Sequence, residues 1–131
     1  MAKKLQNSSP LEPRRFQSVE EIDRGIGKLE QRIQELEKLD LGPSVRKETG
    51  PLHLARSKVR ESIREVFGPN SPEFKEHEHL DIWEGPLQIE MPPGEILMAQ
   101  SNGRKKVVGI LNGLIGTLRE KREELRGRSR S

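Results

Sequence analysis

Two histidines and three glutamates crowd one short stretch, Glu73-Phe-Lys-Glu-His-Glu-His, the residues of this chain best suited to hold a metal. Glu76 and His79 have the three-residue offset by which carboxylate and imidazole ligands share a helix face in di-metal bundles. Such a centre takes a second copy of the motif and two further inward carboxylates, whereas the only other histidine is His53. His77 and His79, two residues apart on a helix, point about 200° away from each other. The expectation is a solvated turn with no metal ligands.

Nucleophilic and phosphoryl chemistry find no frame either. The chain has no cysteine, which removes disulfides, thiolate sites and cysteine nucleophiles together and fits a reducing cytoplasm. No nucleophile elbow or zinc-protease motif is present, and Gly103-Arg-Lys-Lys lacks both the spaced first glycine and the following Ser or Thr of a phosphate-binding loop. We expect no enzyme, no catalytic residues and no cofactor.

Charge leaves a different possibility open. Residues 68–100 hold seven acidic side chains against Lys75 alone, while residues 101–131 hold nine basic against three acidic. An acidic middle beside a basic end can pair within one chain or between chains, and it can orient a partner. Arg104, Lys105 and Lys106 precede the last apolar stretch, and Arg126, Arg128 and Arg130 follow it. These six are the candidates for neutralising phosphates, so a nucleic-acid-binding accessory protein is the alternative reading. Three Phe, one Trp and no Tyr leave few rings for stacking on single-stranded bases. Trp83, in an acidic proline-bearing loop, is either a core anchor or an interaction hot spot.

The elements that must position any site are helices. Val19, Ile22, Ile26, Leu29, Ile33 and Leu36 recur at steps of three and four, a coiled-coil-like seam flanked by Asp23, Glu30 and Glu37 and by Arg32. Ser18 with Glu21 forms a capping box that starts this helix, and Gly42-Pro43 closes it. A second helix opens at Gly50-Pro51 and ends at Gly68-Pro69. Ser71-Pro72 caps a short third helix reaching His79. Pro86, Pro92 and Pro93 forbid one helix through 80–95, and Leu87, Ile89 and Met91 alternate with polar residues, so a short extended stretch is possible there. This crossover is expected to lay Ile82, Trp83 and Leu87 over the bundle. The last helix begins near Glu95, weakens at Ser101-Asn102-Gly103, and is strong over 104–126, with Val107, Ile110, Leu111, Leu114, Ile115 and Leu118 on its apolar face.

With 31% hydrophobic and 34% charged residues and a mean hydropathy of −0.82, a chain of 131 residues makes one lean domain that gains stability from a partner. Residues 1–17 read as a disordered arm, 18–126 as the helical bundle, and 127–131 as a disordered basic tail. No run approaches the roughly 18 apolar residues of a membrane span, and polar residues follow Met1-Ala2-Lys3-Lys4, so no signal peptide is expected.

Two stretches, FQSVEEIDRGIGKLEQRIQEL (16–36) and SKVRESIREVFGPNSPEF (57–74), resemble helical segments of uncharacterised bacterial proteins that accompany mobile-element or anti-phage defence modules. The resemblance covers about a third of the chain. It implies a small accessory or sensor-like subunit and transfers no residue role. The expectation is therefore an all-α antiparallel bundle serving as a cytoplasmic protein-interaction and oligomerisation module, paired with itself or with a larger subunit. Ile22, Ile26, Leu29, Ile33 and Leu36 form the docking seam, packed on helices of the same chain or on a partner. Gly109 and Gly113 allow close approach.

Overall fold

The computed structural model describes residues 10–42, 50–85 and 90–130, with side chains through Arg128. Four helices make up the described residues: α1, Val19–Glu37; α2, Pro51–Phe67; α3, Pro72–His77; and α4, Pro93–Arg130. No strand accompanies them among these residues, and the fold is all-α. No helix among the described residues is long and apolar enough to cross a membrane.

Local chemistry sets most of the helix ends. Ser18 is extended and its hydroxyl accepts from the Glu21 N–H at 3.1 Å. The reciprocal half of the box is shifted by one residue, with the Glu21 carboxylate accepting from the Gln17 N–H at 2.7 Å. Pro51 sits at the first turn of α2, where a missing N–H costs nothing. Gly68 ends α2 at φ 100°, a conformation that favours glycine. Ser71 then caps α3, accepting from the Phe74 N–H at 3.1 Å, and the helix stops at His77, two residues before the sequence-based limit.

The bundle is built around α1, with α2 and α4 packed antiparallel to it on two sides. Gly25 and Lys28 on α1 meet Val66 and Glu65 near the end of α2. Asp23 and Glu30 meet Arg122 and Arg119 near the end of α4, while the carbonyl of Leu36 meets Arg104 near its start. The core runs between them: Ile22, Leu29, Leu36, Ile63, Leu111 and Leu118 are all essentially inaccessible. Each such side chain contributes roughly 1.5–3 kcal/mol when covered.

Three sequence expectations are corrected. The last helix does not weaken at Ser101-Asn102-Gly103; it is continuous from Pro93 to Arg130, about 57 Å long. The residues expected as a disordered tail are helical through Arg130. The part of the expected arm that the structure describes, residues 10–17, is docked. Phe16 is buried edge-on against Phe67, ring centres 6.5 Å apart, and the Glu12 N–H donates to the Asn70 carbonyl at 2.9 Å. Arg14 fixes this segment, donating to the Val66 and Glu65 carbonyls at 2.8 and 3.1 Å, pairing with Glu21, and lying 4.9 Å from the Phe16 ring centre. An unfilled α2 terminus needs such a donor, because its last carbonyls have no partner within the helix. The remainder of the expected arm (1–9), linker residues 43–49, and the crossover residues 86–89, with Leu87, lie outside the described residues.

Candidate functional site

The docking seam is consumed inside the chain. Ile22, Ile26, Leu29 and Leu36 are buried and Ile33 is half-buried, covered by α2 and α4. Charges beside the seam finish this internal contact. Asp23 pairs with Arg122 at 2.6 Å, Glu30 with Arg119 at 3.7 Å, and Lys28 with Glu65. No basic residue stands in the last turn of α1. The cation that its exposed carbonyls favour comes from α4: Arg104 donates to Leu36 and Leu39 carbonyls at 3.3 and 3.0 Å.

The helical glycines fall into two groups. Gly25 is the close-approach glycine between α1 and α2, where an added methyl would sit 3.0 Å from a Val66 methyl. Gly109 and Gly113 meet no other element among the described residues. Both are exposed, with open space where a side chain would be. The phase of α4 explains this. Val107, Leu111, Leu114 and Leu118 turn to α1, and at 3.6 residues per turn the opposite side carries Lys105, Gly109, Asn112, Gly113, Gly116 and Glu120. Met98, 65% exposed, continues that outer side toward the helix start. The Lys105 and Glu120 side chains are exposed and have no ionic or hydrogen-bond partner among the described residues.

The six basic candidates do not form one patch. The 104–106 and 126–130 groups are separated along α4 by about 33 Å. Arg104 is spent on the end of α1, Lys106 pairs with Glu84 at 2.9 Å, and Arg126 pairs with Glu123 at 2.8 Å. Arg128 lines a cleft beside residues 13–17, and the Arg130 side chain lies outside the described residues. His77 is half-buried and His79 is 89% exposed, each near its preceding glutamate at 3.9 and 3.8 Å. Among the described residues no three metal-capable side chains gather.

Two residues of α4 whose roles sequence reasoning missed hold the connecting segments: Gln100 the chain after α1, and Gly103 the crossover. Gln100 is fully buried, and its amide closes a two-bond clamp on the Gly42 backbone: the Gly42 N–H donates to Oε1 at 2.9 Å, and Nε2 donates to the Gly42 carbonyl at 3.1 Å. Gly103 lies directly beneath the backbone of Ile82 and Trp83. Ile82 is buried there, the Trp83 indole N–H donates to the Gly85 carbonyl at 3.0 Å, and the Glu84 N–H donates to the Ala99 carbonyl at 3.0 Å. A buried polar residue within an apolar phase was a signal for Gln100; Gly103 read equally well as a helix breaker.

No protein-family model, curated protein or solved structure matches this chain, so its functional reading rests on its own geometry.

Proposed function

We propose that the chain is a non-enzymatic helix-packing module that pairs with a second copy of itself through the outer face of α4. The observation that carries this reading is a cost that the fold leaves unexplained. A glycine inside a helix costs about 1 kcal/mol relative to alanine, so Gly109, Gly113 and Gly116 together cost about 3 kcal/mol. Among the described residues nothing comes close enough to any of them to require a missing side chain. A second helix crossing there would use the space, since small residues let two backbones approach.

The order of residues supplies an orientation. Along this face Lys105, Gly109 and Asn112 are followed by Gly113, Gly116 and Glu120, so the spacing reads the same from either end about the 112–113 peptide. An antiparallel copy related by a two-fold axis sets Gly109 against Gly116 and Lys105 against Glu120, twice. A parallel copy would set Lys105 against Lys105. Exposed ion pairs of this kind add little affinity but select orientation.

Light scattering on the purified protein tests it. A dimer is expected, with Lys105→Glu and Glu120→Lys each shifting it toward monomer and the double reversal restoring it. A monomer at high micromolar concentration, or a dimer indifferent to both reversals, would overturn the reading. Gly109→Leu, checked for retained helicity, gives a second route to the same monomer.

A further inference from the structure

At the far end of α4 from Gly103, its last turns and residues 13–17 enclose a cleft of about 410 Å³. That size lies within the range of small-molecule sites. Arg14, Arg15, Lys121 and Arg128 line it, against Glu124 as the single carboxylate. Half-buried Leu125 adds apolar surface, and the buried Phe16 lies behind the wall.

Two ordinary explanations account for part of this charge. Arg14 is the latch that holds its own segment to α2. Arg128 sits near the carbonyl end of α4, where a cation is favoured in any helix. Neither explanation reaches Arg15 or Lys121. Arg15 is exposed and Lys121 half-buried, they come from different walls, one from residues 13–17 and one from α4, and neither side chain has an ionic or hydrogen-bond partner among the described residues. Arg15 is carried on a backbone that Arg14 and Phe16 fix on both sides of it, so the point from which its side chain projects is set before any ligand arrives.

We propose that this cleft binds a compact, multiply charged phosphate group, such as the polyphosphate portion of a nucleotide. The Arg15 guanidinium offers a planar fork that matches two phosphate oxygens, and the Lys121 ammonium adds a point charge from the other wall. A long nucleic-acid backbone fits less well. The other arginines along this stretch of α4, Arg119, Arg122 and Arg126, are occupied by Glu30, Asp23 and Glu123, so no continuous row of free cations follows a strand. The rings nearest the cleft, Phe16 and Phe67, are buried and offer no stacking face.

Isothermal titration of the full chain at low salt with sodium tripolyphosphate and, separately, with a fifteen-residue oligodeoxythymidine decides the matter. Tripolyphosphate is expected to bind, and Arg15→Ala with Lys121→Ala to weaken it by roughly tenfold or more, as two lost charged hydrogen bonds would. Lys38→Ala with Lys58→Ala removes two exposed cations elsewhere and is expected to leave affinity within about twofold. Circular dichroism checks that both variants fold. Absence of tripolyphosphate binding, equal losses in both double variants, or tighter binding of the oligonucleotide that grows with its length would each overturn the proposal.

Discussion

Gly103 on α4 lies against the backbone nitrogen of Trp83, so closely that a methyl group would overlap the main chain of both Ile82 and Trp83. Here the crossover chain passes directly over the helix. Backbone yields less readily than a flexible side chain, so Gly103→Ala is expected to destabilise the fold by about 2 kcal/mol or more, despite alanine's better helix propensity. Gly27→Ala is the contrast. Gly27 is exposed with open space around it, and the same change there is expected to stabilise by about 1 kcal/mol. Urea unfolding of the two variants reads both signs.

Gln100→Met keeps side-chain bulk and removes both bonds to Gly42. The Gly42 N–H and carbonyl then lose their partner, at an expected cost of about 1–3 kcal/mol. Hydrogen exchange at the Gly42 amide should accelerate in this variant beyond what its global stability predicts, because the clamp acts on the chain just after α1.

Leu29→Ala tests the centre of the seam. Leu29 is fully buried, and its truncation is expected to cost about 2–5 kcal/mol in thermal or urea unfolding. Met98→Ala, on the exposed outer side of α4, is expected to change monomer stability by less than about 0.5 kcal/mol.

The Glu21 carboxyl is held below its ordinary 4.5, first by the Gln17 N–H and then by Arg14, against an opposing effect of burial. A depressed carboxyl contributes stability that is complete above its unfolded value and is lost as pH falls through its folded value. The wild type should therefore exceed Glu21→Gln in melting temperature at pH 7, and the gap should close between pH 4.5 and the acid limit of folding. A gap that widens on acidification would contradict this linkage. Arg14→Lys should lower the melting temperature at pH 7, since lysine cannot reach two carbonyls, a carboxylate and a ring face together.

The sequence made helix identity legible wherever capping and apolar spacing agreed. Ser18, Pro51, Gly68 and Ser71 stand at the boundaries their chemistry predicts, because a cap is a local contract between neighbours. Ser101-Asn102-Gly103 misled for the opposite reason: a poor local helix former was retained to admit a distant segment, and tertiary packing overrode propensity. Gly109 and Gly113 were read as allowing a close approach, and the spacing of Val107, Leu111, Leu114 and Leu118 already placed them on the side of α4 turned away from α1. Phe16 was the signal that residues 10–17 would dock, an aromatic ring among charges with nowhere to hide except the bundle. The cleft beside Arg15 was not readable at all, since its two walls lie more than a hundred positions apart in the chain.

That α1 is covered mainly by α4 has a consequence for biosynthesis. Asp23 and Arg122, which meet across this contact, are separated by 99 positions. As the ribosome extends the chain, α2 can shield one flank of the first helix early, but the other stays wet until residues 107–118 have been made and have left the ribosome. Nascent chains stalled before residue 107 should therefore recruit chaperones and precipitate when released, whereas chains extended past Leu118 should not.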